Sequence, residues 1–275
     1  MNRGPIKIGR VLLYLFLSAW ALAVLIPFFM ILVNSFKNMR EAALFSLTLS
    51  PNSSLENYKT VLGKPFFIRG MKNSFIITTF AVVLVDILAA MSAFVIQRRS
   101  GRFAKALYFL YFAGLIVPMS IIPTIKLMMQ THIHNTYPGI ILFQTAVNIP
   151  FSVFLLTGFM KSLPRELDEA AIIDGCGNLR LFCRIIAPLL VTPLITCTIV
   201  NTTGIWNDFQ APFYLISDSS KWPIVIGIFN FVTQYYTNWG LVFAFMTLVI
   251  VPVLVFYICL QKYIMSGLTA GSIKG

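Results

Sequence analysis

The densest run of side chains able to do chemistry is Ser162-Leu163-Pro164-Arg165-Glu166-Leu167-Asp168-Glu169-Ala170-Ala171-Ile172-Ile173-Asp174-Gly175-Cys176-Gly177-Asn178. Pro164 suits a first helical turn, Glu166, Asp168 and Glu169 follow where a helix dipole favours negative charge, and Gly175 or Gly177 can end the helix. A short helix flanked by two long apolar stretches is therefore expected here. Leu167, Ala170, Ala171 and Ile173 recur at helical spacing, which gives it a side fitted to a partner's groove or to a layer of lipid headgroups. Other chemistry is sparse. His132 and His134, the only histidines, share one short loop, Cys176, Cys183, Cys197 and Cys259 form no CxxC pair, and no GxxxxGK[ST] run is present. No metal-ligand set and no nucleotide-phosphate cradle can be read from such a pattern.

The elements that must position these residues are set by composition. Of the 275 residues 58% are apolar and only 11% charged, with a mean hydropathy of +0.83 and 25 phenylalanines. A soluble domain carries about 45–50% apolar and about 25% charged residues, so the chain is an integral membrane protein. Six segments are long and apolar enough to cross a bilayer as helices, near residues 11-33, 71-96, 103-129, 138-160, 185-206 and 240-261. The first has Arg3, Lys7 and Arg10 before it and Ala21-Leu22-Ala23 within it, like a secretory signal. Its apolar run continues to Val33, beyond the core of a signal peptide, so it is expected to be retained. The fold class is all-α with six transmembrane helices.

The net charge of +12 is placed between apolar blocks, which reads as membrane orientation and excludes nucleic acid as the natural partner. With the N-terminus inside, 13 Lys and Arg fall on cytoplasmic segments and six on external ones, with Lys72 and Lys126 at helix ends. Both termini are therefore expected in the cytoplasm. Residues 34-70 and 207-239 become long external stretches, the second rich in aromatics: Phe209, Phe213, Tyr214, Trp222, Phe229, Phe231, Tyr235, Tyr236 and Trp239. Such a stretch serves as an interfacial belt or as a docking and gating surface.

A bilayer-spanning protein handles polar solutes through side chains inside its helices. Asn148 in the fourth span and Asn201, Thr202, Thr203, Trp206, Asn207 and Asp208 around the end of the fifth combine hydrogen-bonding groups with an aromatic face. Asn148, Asn201, Trp206 and Asn207 are the candidates for a translocation path, although for any single Asn or Thr a hydrogen bond to a neighbouring helix is the commoner use. Asp86, near the middle of the second span, is a costly isolated charge and should face the protein interior or a wet cavity. It stands 12 residues from Arg98, about 18 Å along a helix, whereas Lys126 is 21 residues from Lys105, about 31 Å, so the two are not expected to pair.

One motif carries a family likeness. Glu169-Ala170-Ala171, three residues, Gly175, nine residues, Ile185, one residue and Ala187-Pro188 is similar to the EAA signature of the permease subunits of bacterial ABC importers, with Ala187 where leucine is usual. The surroundings resemble the carbohydrate-uptake branch, near the smaller permease of maltose-type systems: Asn73-Ser74 opening the second helix, Leu163-Pro164-Arg165-Glu166-Leu167, Trp206-Asn207-Asp208-Phe209, and the ending Gly267-Leu268-Thr269-Ala270-Gly271-Ser272-Ile273-Lys274-Gly275. Two departures are Thr124-Ile125-Lys126, where a Pro-Leu-Tyr-like run is common, and Asp86, where the family has a small or apolar residue.

The resemblance implies a type I ABC importer permease fold with a cytoplasmic coupling helix, in the bacterial cytoplasmic (inner) membrane. It implies a cytoplasmic N-terminus at 1-10, a transmembrane domain at 11-265 with its core at about 71-261 and a coupling loop at 161-184, and a cytoplasmic tail at 266-275. Glu166, Asp168, Glu169, Ala170, Ala171, Asp174 and Gly175 would then contact the ATPase. The implied partners are a second permease forming a heterodimer, two ATPase subunits, an extracytoplasmic sugar-binding protein and membrane lipid. This chain would bind no cofactor, ATP and Mg belonging to the ATPase, and would be a transport subunit rather than an enzyme. The alternatives are an ion-coupled secondary transporter, for which Asp86 is the only clear intramembrane acid, and an ABC permease for a glycerophosphodiester or polyol.

Overall fold

The structure is a computed structural model that describes residues 8–99, 101–232 and 237–270. It is built of helices: α1 (Ile8–Ser35), α2 (Met39–Ala42), α3 (Glu56–Leu62), α4 (Pro65–Arg98), α5 (Arg102–Ile116), α6 (Ile121–Gln130), α7 (Tyr137–Met160) and α8 (Glu166–Ile173). Then follow α9 (Asn178–Leu181), a π-helical turn (Phe182–Ile186), α10 (Ala187–Leu189), α11 (Val191–Asn207), α12 (Gln210–Leu215), two 3-10 turns (Ser219–Lys221 and Ile224–Asn230) and α13 (Trp239–Ala270). Four helices are long and apolar enough to cross a membrane alone: α1 from Val11, α4, α7 and α13 to Gln261.

The other two expected spans are broken, each at prolines. The segment 103-129, read as one helix, is two. Pro118 has no N–H to continue α5 and drives Val117 into an extended conformation (φ −73°, ψ 119°), and α6 restarts only after Ser120. The segment 185-206 begins earlier and bends by 74° between Asn178–Leu189 and Val191–Asn207. Leu190, at the bend, lies between Pro188 and Pro193, where intrahelical donors are missing. At the other helices the expected bounds were short. α4 begins at Pro65, so Asn73-Ser74 lies inside it rather than opening it. α13 runs on to Ala270, so the first residues of the expected tail are helical, while 271–275 lie outside the described residues.

The chain divides into two compact units, Met1–Ile68 with Gly227–Val251 and Arg69–Ile226 with Pro252–Gly275. In the first, half-buried Phe66 and buried Phe231 and Phe245 form an aromatic cluster. Lys37 is fully buried there, paired with no acid among the described residues. Its ammonium is satisfied by Asn34 Oδ1 at 3.0 Å, the Ser46 carbonyl at 2.7 Å and Ser46 Oγ at 2.9 Å.

In the second unit one core joins Ala89, Ala90 and Ala93 of α4 to Leu156 and Met160 of α7, Ala171 of α8 and Leu190 at the bend. The three alanines let α4 approach its neighbours closely, the small-residue device of membrane helix packing. A second core joins Ile77 and Ala81 of α4 to Met128, Phe143, Ile205 and Leu215. The turn before α7 is held by Thr136, whose hydroxyl accepts from Gly139 N at 3.1 Å and donates to the Ile133 carbonyl at 2.7 Å. A side chain at Gly139 would strike that same Ile133 carbonyl oxygen, so the close approach requires glycine.

Candidate functional site

The expected short helix forms as α8, at Glu166–Ile173, and ends as its glycine predicts. Gly175 adopts φ +80°, its N–H bonds the Ile172 carbonyl at 3.0 Å, and the Cys176 N–H reaches the Ala171 carbonyl at 2.9 Å. This is the Schellman arrangement, with Cys176 packing back toward the core. A Cβ at Gly175 would meet nothing within 4 Å, so its constraint is conformational and not spatial.

The structure sorts the seven candidate residues of this loop into two faces. Ala171 and Asp168 are turned inward and buried. Glu166, Glu169, Ala170, Asp174 and Gly175 are exposed, together with Leu167 and with Ile173 at 85% exposure. A patch that mixes exposed isoleucine and leucine with carboxylates, at the end of a well-capped helix, has the composition of a docking surface. The spacing argument had placed Ala171 on the same side as Leu167 and Ile173. The core takes it instead.

Asp168 has a partner within this chain. Its Oδ2 lies 2.5 Å from Nε of Arg98, the last residue of α4, and the two side chains are only 12% and 9% exposed. The Arg98 guanidinium also donates to the Leu163 carbonyl from both Nη1 and Nη2 at 3.4 Å, and Arg165 Nη2 returns a bond to the Gln97 carbonyl at 3.3 Å. In the sequence Arg98 is one of the orientation charges; in the fold it is also the partner of this loop. Its position as the terminal residue of a long helix, near a loop rich in acids, was the available signal.

The path candidates do not converge on one surface. Asn201 is 1% exposed and gives its amide to Ser152 Oγ of α7 at 2.9 Å, a helix–helix link. Asn148 donates to the Gln144 carbonyl of its own helix at 2.7 Å, and Asn207 is exposed at the end of α11. Trp206 is the one that fronts a cavity. The space, of about 210 Å³, lies between α4, α11 and the second half of α13 and is lined by Phe75, Thr78, Thr79, Thr198, Thr202 and Trp206 among others. Phe75 and Trp206 meet edge to face at 5.1 Å.

Polar contacts that spacing does not reveal gather at two places. Asp208 accepts from Gln144 Nε2 at 2.7 Å with Oδ2 and from the Ala211 N–H at 3.2 Å with Oδ1, which ties α7 to the start of α12. At the far end of α4, Asn73 donates to the carbonyls of Ser220 at 2.9 Å and Trp222 at 3.0 Å and accepts from the Tyr137 hydroxyl at 2.7 Å. Ser74 Oγ accepts from the Ile224 N–H at 2.8 Å. The segment so held is further fixed by Asp218, which accepts from the Ser220 N–H at 2.9 Å and pairs with Lys221 at 3.3 Å. Hydrogen bonds from Ser220, then Lys221, hold the Asp218 carboxyl below its ordinary pKa.

Asp86 faces α11, where Thr198 donates to its Oδ2 at 2.6 Å, and its Oδ1 is buried with no hydrogen-bond partner among the described residues. Neither described ion pair involves Asp86 or Lys126, in line with their expected difference in depth. Of the aromatics in 207-239, Phe209, Phe213, Tyr214 and Phe229 are exposed and Phe231 is buried, while Tyr235 and Tyr236 lie outside the described residues.

An all-helical, membrane-spanning chain with an EAA-type loop on a capped helix is the architecture of an importer permease. The model of the family "Binding-protein-dependent transport system inner membrane component" matches residues 86–269, and the chain belongs to that family. It is a transport component of the inner membrane and not an enzyme. It is 32% identical over 262 residues to the melibiose/raffinose/stachyose import permease protein MelC of Bacillus subtilis, covering 93% of each chain. It is also 32% identical over 267 residues to the diacetylchitobiose uptake system permease protein NgcG of Streptomyces coelicolor, covering 94% of this chain and 87% of the relative. Its fold matches that of a chain in the crystal structure of a bacterial ABC transporter involved in the import of the acidic polysaccharide alginate. There the TM-score is 0.83 at 22% identity, over 94% of this chain and 99% of the other.

Proposed function

We propose that this chain is the permease subunit of an ATP-driven importer that moves an oligosaccharide handed over by an extracytoplasmic binding protein. The observation that carries the reading is the exposed face of α8: carboxylates, small and apolar residues projecting from a helix closed by a left-handed glycine and left uncovered by the described residues. Glu166, Glu169, Ala170, Asp174 and Gly175 form the contact with the ATPase, and Asp168 and Ala171 hold the loop to the membrane helices. The substrate class is supported by the relatives named for di- to tetrasaccharide uptake.

The full assembly in this reading has a second permease as heterodimer partner, two ATPase subunits carrying ATP and Mg, and a sugar-binding protein outside. The extended apolar flank of α1, exposed along nearly its whole length, is left for the second permease and for lipid. The chain makes six crossings. α5 and α6, of 15 and 10 residues, rise about 22 and about 15 Å and together exceed the roughly 30 Å of hydrocarbon, so as a broken pair they make the third. The bent pair before and through α11 makes the fifth. Both termini are cytoplasmic, 11-265 is the permease domain, and the tail at 266-275 reaches the ATPase dimer.

The functional test is disruption of the gene followed by uptake of labelled di-, tri- and tetrasaccharides, glycerophosphodiesters and polyols. Loss of oligosaccharide uptake alone is expected, and loss confined to a glycerophosphodiester or polyol would replace the sugar reading by that alternative. Topology is tested separately by single cysteines. In a background without the native cysteines, Asn52→Cys and Ser219→Cys should react with a membrane-impermeant maleimide on intact cells, and Ser162→Cys should not. Labelling of Ser162→Cys from outside would reverse the orientation.

A further inference from the structure

Building on the reading of α8 as the ATPase contact, we infer that α4 is a strut that carries movement of the coupling loop to the outer segment 216–226. The two joints of the strut are Arg98–Asp168 at the cytoplasmic end and Asn73 with Ser74 at the outer end. From Asn73 to Arg98 the helix is unbroken, 25 steps or about 38 Å, and has no internal proline. The alternative route through α11 passes a π-helical turn, two prolines and a 74° bend before it reaches the same side. A bent, donor-poor helix absorbs displacement. A continuous one, with every interior donor in place, transmits it.

Each joint is made of directional contacts to backbone or charge, so it fixes position and not merely proximity. At the inner end the ion pair and the bonds of Arg98 to Leu163 and of Arg165 to Gln97 interlock the end of α4 with both sides of the α8 start. Asp168 Oδ1 remains buried without a hydrogen bond among the described residues, so this pair is not arranged for greatest stability. What it secures is the register of α8 against α4. At the outer end Asn73 grips two carbonyls of the loop, Ser74 grips its amide, and Gly70 brings the α4 backbone against Ile224, where an added Cβ would lie 3.1 Å from Ile224 Cα. Arg98, Asp168 and Asn73 are positioning residues, since none of them faces a cavity or an open surface of the loop.

The experiment uses the whole transporter in nanodiscs, in a chain whose four native cysteines are replaced by alanine and which carries one cysteine at the exposed Ser219. Maleimide reaction rates at that cysteine are compared without nucleotide and with a non-hydrolysable ATP analogue that closes the ATPase dimer. A nucleotide-dependent rate is expected in the parent. It should be lost in Asp168→Asn and in Asn73→Ala, and Arg98→Lys, which keeps the charge, should restore part of what Arg98→Gln loses. Binding-protein-stimulated ATP hydrolysis should fall about tenfold in each of Asp168→Asn and Asn73→Ala, and also about tenfold, not a hundredfold, in the double variant, because two breaks in one linkage do not multiply. The inference is overturned if Ser219→Cys ignores nucleotide in the parent, if its response survives in both joint variants, or if the double variant is multiplicative. Failure of the underlying reading is told apart from these by the Gly175 variant below, which leaves both joints intact.

Discussion

A Gly175→Val chain should reach the membrane and yet support neither binding-protein-stimulated ATP hydrolysis nor uptake above about a tenth of wild type. The native φ of +80° is a conformation that a β-branched residue enters only at a cost of about 1–3 kcal/mol. No atom of the chain obstructs the new side chain, so the core under α8 stays packed and the strain is released by unwinding the exposed turn. The partner surface then meets a displaced Glu169 and Ala170. Gly175→Asn is the control, because asparagine visits the left-handed region at little cost, and it should keep most activity. Glu169→Lys, which reverses an exposed charge without touching the backbone, should mimic the valine variant. The decisive measurements are stoichiometry of the ATPase in the purified complex and its stimulation by loaded binding protein. Full values of both for Gly175→Val would mean that α8 is not the coupling element.

The cap of α8 was legible because a helix stop of this kind is written in adjacent residues: a glycine after the last helical position and a small apolar residue after it. The direction in which α8 faces was not. Leu167, Asp168 and Ala171 lie within one turn, and periodicity alone cannot say which of them the core will claim. The choice is made by Arg98, 70 positions away, whose buried guanidinium needs a carboxylate. Asn73 was missed as a joint for a similar reason. Charged Arg69 and Lys72 interrupt the apolar run, so the span reads as opening near residue 71, while the structure continues the helix back to Pro65, a residue suited to a first turn.

Breaks in the apolar spans show the opposite failure. A stretch such as 103-129 is hydrophobic from end to end, and an average over it registers nothing at Pro118. Yet one missing donor and one extended residue before it divide the segment into α5 and α6. Hydropathy measures the cost of lipid exposure and backbone continuity depends on donors, so the two properties must be read separately. The bend at Leu190 was better marked, because two prolines stand within six residues of each other around it.

The largest effect on the solute path is expected at Trp206. Its indole is 4% exposed, closes one side of the cavity between α4, α11 and α13, and stands edge-on to Phe75. The rest of the lining is mainly apolar, Val82, Val83, Pro252, Val253 and Phe256, with Thr78, Thr79 and Thr202 beside them, so the space offers an aromatic face for the apolar side of a sugar ring and a few threonines at its margin. Removing a buried tryptophan costs about 3–5 kcal/mol in a water-soluble core, less among lipid tails that are themselves apolar, so the protein should remain in the membrane. Uptake by Trp206→Ala should fall about tenfold, the worth of an aromatic contact, and Trp206→Phe should recover much of it. Thr202→Val supplies the sharper comparison, because it keeps the shape and deletes one hydroxyl. It should lower uptake with the ATPase still bound. Asn201→Ala separates path from scaffold: its amide links α11 to Ser152 of α7, so its loss should reduce the amount of assembled transporter and leave turnover per complex unchanged. If uptake per complex is at wild-type level in Trp206→Ala and Thr202→Val alike, this cavity is not on the route, and the sugar crosses through the partner permease.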